Sequence, residues 1–123
     1  MLAFVESLNI ILAKEATVKE YRDLWNILPQ KYKESEFASQ FEKIQVYGAD
    51  HFGFCIRLFM WTPDLIVKNE QLTLSGASVA DAEFKKWLKT AVQEIAPTLE
   101  VTRITGENVY VMDEESGEIV LGG

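Results

Sequence analysis

The chain has 123 residues, 48% of them hydrophobic and 25% charged, which is the composition of a folded protein with one core and excludes a disordered chain. Its net charge of −7, with no clustered basic stretch, argues against direct binding to nucleic acid or to an anionic membrane surface. The single cysteine, Cys55, cannot form an intrachain disulfide and fits a reducing compartment, and no Gly/Ser-rich linker or repeat divides the chain, so 1–123 is expected to form a single globular domain.

In chain order, Leu2 to Ala13 is strongly apolar and places residues 4, 5, 8, 11 and 12 on a helical stripe, which predicts a buried helix. It lacks the basic start of a signal peptide, Glu6 and Asn9 interrupt it, and it falls well short of the roughly 20 apolar residues of a bilayer span. The expected location is therefore the cytoplasm. Thr17 and Glu20 form a T-x-x-E capping box that opens a second helix, with Val18, Tyr21, Leu24, Trp25 and Leu28 on one face and Pro29 as a stop. A third helix is predicted from Ser35 to about Val46, with Phe37, Phe41 and Ile44 inward and Gly48 as its C-terminal cap.

The texture then changes. His51 to Trp61 alternates, with Phe52, Phe54, Ile56, Leu58 and Met60 on an apolar face and His51, Gly53, Cys55, Arg57, Phe59 and Trp61 on a mixed one, which predicts a strand. Thr62-Pro63-Asp64 breaks it, and Leu65 to Leu74 is read as another strand. Ser78 and Asp81 repeat the capping pattern before a helix over Val79 to Ile95, whose inner stripe is Phe84, Trp87, Leu88, Ala91, Val92 and Ile95 and which Pro97 ends. Three short strands follow, Leu99 to Ile104, Val109 to Met112 and Glu118 to Leu121, joined by turns at Gly106-Glu107-Asn108 and Glu115-Ser116-Gly117. The predicted fold class is α+β: three N-terminal helices, then ββ-α-βββ with a largely antiparallel sheet packed on the helices.

The catalytic inventory is poor. Asp50, His51 and Cys55 suggest a nucleophile with its base, but residues four apart on a strand lie about 13 Å from one another and cannot touch. No catalytic residue is nominated. One histidine and one cysteine do not make a structural zinc site, and the run Asp113 to Glu118 lacks EF-hand spacing because Gly117 is its fifth residue rather than its sixth. Phosphate-binding loops and a G-x-S-x-G elbow are absent from the sequence, so neither metal nor cofactor is expected.

Two places invite a ligand. Arg57 projects from the mixed face of the His51 to Trp61 strand, where it calls for an internal carboxylate or an anionic ligand. With His51, Cys55 and Trp61 it would line a pocket between the helices and that face, the site of a small-ligand binder or an enzyme. The stronger signal is charge. From Leu99 to Gly123 there are six acids and one base, a net −5, while the other 98 residues carry only −2. Glu107, Asp113, Glu114, Glu115 and Glu118, with Tyr110 interleaved, are expected to capture a basic partner protein, such as a toxin or a nucleic-acid-processing enzyme. That profile suits small inhibitors, immunity proteins and antidotes, with an assembly chaperone or structural subunit as a further alternative. The last strand is also expected to be a sheet edge able to pair with a partner.

Overall fold

A computed structural model describes residues 2–50, 52–60 and 80–122 of the chain. Its elements are β1 (Leu2–Leu12), α1 (Val18–Lys33), β2 (Lys43–Asp50), β3 (Gly53–Met60), α2 (Ala82–Ile95), β4 (Val101–Asp113) and β5 (Ile119–Gly122). The strands form one antiparallel sheet in the order β2-β3-β1-β4-β5. The first four strands and the two helices follow the split β-α-β arrangement, with β5 appended outside β4. The α+β class and the antiparallel sheet are as expected, but the order of elements differs, and two helices rather than four are present among the described residues. None of the described helices is long and apolar enough to cross a membrane.

The first segment is a strand and not the predicted helix. β1 occupies the centre of the sheet, pairing with β3 on one side and β4 on the other. A central strand buried on both faces is apolar at odd and even positions alike, so its period is masked and the run imitates a helical stripe. Phe4, Leu8, Ile10 and Leu12 join the main core under the helices, while Ala3 and Val5 join a smaller cluster with Phe59, Tyr110 and Met112.

The third predicted helix is also absent; 36–40 forms turns and the chain then enters β2. Tyr32 is the physical reason. Its hydroxyl accepts the Phe41 N–H at 2.8 Å and has the Phe37 and Phe41 carbonyls at 2.7 and 2.9 Å, side-chain bonds that replace helical backbone pairing. Phe37 and Phe41 are buried with Tyr32 and Phe84 in one aromatic cluster against Trp87.

Thr17 caps α1 with the full capping box, and Asp81 caps α2 by accepting the Phe84 N–H at 2.8 Å. Pro29 does not end α1, which runs on to Lys33 and buries Leu24, Leu28 and Tyr32; losing one N–H costs less than giving up that face. Val18 and Trp25, expected on the inner face, are 74% and 45% exposed. The two strands expected at 99–104 and 109–112 are one. Where a hairpin turn was predicted, β4 carries a bulge that sets Glu107 and Asn108 opposite the single Ser7 of β1. The Leu65 to Leu74 strand and Ser78 lie outside the described residues.

Both helices cover the sheet face formed by Phe4, Leu8, Ile10, Ile44, Val46, Phe54, Ile56, Leu58, Met60, Val109 and Val111. That arrangement leaves two features turned away from them, the β4–β5 hairpin with its edge strand and the opposite face of the sheet.

Candidate functional site: the acidic hairpin and the second sheet face

The hairpin is built from its own backbone. Asp113 accepts the Gly117 N–H on its carbonyl at 2.7 Å and the Glu115 N–H on Oδ1 at 2.9 Å, and it donates its own N–H to Glu118 at 2.9 Å. Gly117 takes φ 75°, which favours a residue without Cβ. The Glu115 N–H holds the Asp113 carboxyl below the usual carboxylate range.

The predicted partner-binding residues divide. Glu115 and Glu118 are exposed. Glu114 is half-buried and meets Lys43 of β2 at 3.3 Å, a lysine that also lies 4.6 Å above the Phe59 ring. That bridge carries the hairpin across the face opposite the helices, where Val5 and Phe59 are buried. Glu107 stands in the β4 bulge. Tyr110, expected to supply apolar contact to a partner, is only 5% exposed and shares a 2.9 Å hydrogen bond with Ser7 Oγ. The apolar surface sits one strand further on. β5 is the outermost strand on its side of the described sheet, with Ile119 54% and Val120 57% exposed and a bulge where Val120 falls.

Of the predicted pocket residues, His51 and Trp61 lie outside the described residues. Cys55 and Arg57 occupy the odd face of β3 as read from the sequence, but α1 and α2 pack on the even face. Among the described residues, therefore, no pocket forms between α1 or α2 and the odd face of Gly53–Met60. The alternation was right, but the helices cover the more apolar of its two faces, which buries more carbon. On the odd face, Gln45, Arg57 and Ser7 stand in one row across β2, β3 and β1, and Tyr47, Cys55, Asn9 and Thr105 stand in the next across β2, β3, β1 and β4.

Tyr47 joins these rows. Its ring lies 3.9 Å from the Arg57 guanidinium carbon, and its hydroxyl is 2.8 Å from Ser7 Oγ, which Tyr110 meets from the other side. Burial pushes the Tyr47 phenol up to about 12, while the Ser7 hydrogen bond works in the opposite direction. Cys55 Sγ donates to Asn9 Oδ1 at 3.0 Å, so this thiol is placed with an amide. Arg57 makes no ion pair or hydrogen bond among the described residues, and its Nε is buried without an acceptor.

Sequence reasoning missed Ser7 and Tyr47, and it treated Glu6 and Asn9 only as interruptions. Glu6 is 1% exposed on the helix-covered face, where Oε2 accepts the Ala80 N–H at 2.8 Å beside the α2 cap. The available signal was three polar residues within one apolar run, Glu6, Ser7 and Asn9; a buried polar side chain needs a partner, and each has one. No protein-family model, curated protein or solved structure matches the chain.

Proposed function

We propose that the chain is a non-enzymatic binding module of inhibitor or immunity type that captures a basic protein on the β4–β5 hairpin and the outer edge of β5. The observation that carries this reading is the adjacency of exposed acids, Glu115 and Glu118, to the exposed apolar Ile119 and Val120 on an outermost strand. An outer strand offers backbone donors and acceptors to an incoming strand, and its apolar side chains add buried area. Acids at its rim steer a basic partner and set the rate of encounter. Partners with a basic groove, such as nucleases and other nucleic-acid-processing toxins, have the complementary chemistry.

The test begins with affinity recovery from the source cell or its host, washed at low and then high salt, and continues with the purified partner. Glu115→Gln with Glu118→Gln is expected to slow association roughly tenfold at low salt with little change in dissociation. Val120→Asp is expected to speed dissociation instead. A recovered partner whose binding ignores both sets of substitutions would remove the hairpin and β5 from the interface.

A further inference from the structure

Although the chain has nineteen acids, Arg57 has no carboxylate partner among the described residues. Around it, the three rows on the face opposite the helices are Lys43–Phe59–Val5–Tyr110, Gln45–Arg57–Ser7 and Tyr47–Cys55–Asn9–Thr105. None of those residues is acidic, and the acid nearest to these rows in register is Glu107, in the β4 bulge opposite Ser7. Lys43, the other cation there, already meets Glu114. Within these three rows Arg57 is therefore the cation without an ion pair among the described residues, in a protein whose net charge is negative.

The side chain is also held in place. The Tyr47 ring lies against the guanidinium at 3.9 Å, and the Tyr47 hydroxyl is fixed on Ser7, which is directly across from Arg57 on β1. Tyr110 meets the same Ser7 hydroxyl from the far side. Arg57 is half-buried, its Nε is shielded without an acceptor, and the guanidinium makes no hydrogen bond or ion pair among the described residues. A stacked arginine presents its donors in a planar fork, which matches the two oxygens of a carboxylate or phosphoryl group. Gln45, directly across on β2, supplies a neutral amide donor beside it.

We propose that Arg57 anchors an oxyanion site on the face of the sheet opposite the helices, with Gln45 and Ser7 beside it, for the carboxylate or phosphoryl group of a small ligand. This site is separate from the acidic hairpin and has the opposite charge preference, so it stands or falls apart from the partner-binding reading. Restraint by Tyr47 lowers the ordering cost of binding, because the guanidinium is oriented before the ligand arrives.

The full chain, labelled with ¹⁵N, is titrated with inorganic phosphate and separately with succinate at constant ionic strength, following backbone amides and the Arg57 Nε–Hε resonance. The expected result is a saturable shift of that resonance together with the Ser7 and Gln45 amides. Saturation by phosphate alone assigns a phosphoryl ligand, and saturation by succinate alone assigns a carboxylate. Arg57→Gln is expected to weaken the response roughly tenfold or more, with Arg57→Lys in between because it keeps the charge and loses the fork. Should Arg57→Gln not fold, Gln45→Ala supplies the second reading, a weaker response with the Arg57 resonance still moving. Linear shifts with either anion would mean an adventitious ion only and overturn the proposal, as would shifts that survive Arg57→Gln. It is also overturned if the Arg57 resonance follows a carboxylate titration that Glu107→Gln abolishes, since the acid in the β4 bulge would then already fill the site.

Discussion

Tyr47 shows how a single hydroxyl reports on the second face of the sheet. Burial favours the neutral phenol, and its pKa is raised from 10.0 to about 12. An unfolded tyrosine titrates near 10, so between about pH 10 and 12 the native state holds a proton that the unfolded state has lost. The contribution to stability is thus fully present below about pH 10 and is lost as pH rises through about 12. The phenolate absorbance should accordingly contain a late component with a midpoint near 12 that Tyr47→Phe removes. The denaturation midpoint should hold steady up to about pH 10 and then fall, less steeply in that variant. Complete titration of all four tyrosines near pH 10 would mean that water reaches Tyr47 and that the Arg57 stack is open.

At the scale of elements, local chemistry was legible and long-range chemistry was not. The Thr17–Glu20 capping box, the inner stripe of α2 and the alternation of β3 depend on neighbours a few residues apart, and each appears where the sequence placed it to within a few residues. β1 was misread because its burial on both faces is decided by β3 and β4, which lie fifty to a hundred residues away. The candidate site follows the same division. The acids of the hairpin were legible as composition, whereas the burial of Tyr110 by Ser7 and the pairing of Glu114 with Lys43 required the sheet. The segment after α1 is the clearest case, because its turn depends on one side chain. Tyr32 is 1% exposed, and its hydroxyl satisfies the Phe41 N–H and donates to a neighbouring carbonyl. Tyr32→Phe keeps the packing and strands those groups, so it should cost about 2 kcal/mol, read as a lower urea midpoint at unchanged slope. An unchanged midpoint would show that water replaces the hydroxyl and that the aromatic cluster alone sets the turn.

The whole molecule divides its work between the two sides of one sheet. The side under α1 and α2 holds the main core, and neither Ile119 nor Val120 of β5 takes part in it. Among the described residues β5 pairs only with β4, at the outer edge, and Glu114 of the hairpin forms an ion pair across the sheet to Lys43. Truncation after Asp113 should therefore leave the split β-α-β arrangement folded, with a single cooperative melt. The expected loss is about 1–2 kcal/mol from one edge ladder and one half-exposed ion pair, or a fall in Tm on the order of 4–8 °C for a chain of this size. Partner capture should disappear from the truncated chain, while the Arg57 response to phosphate or succinate, carried by β1, β2 and β3, should persist. Calorimetry with the two binding assays separates the outcomes. A truncated chain that binds the partner at full strength moves the interface elsewhere. One that no longer melts cooperatively makes β5 part of the fold, since sealing the β4 edge would then be what holds the sheet together.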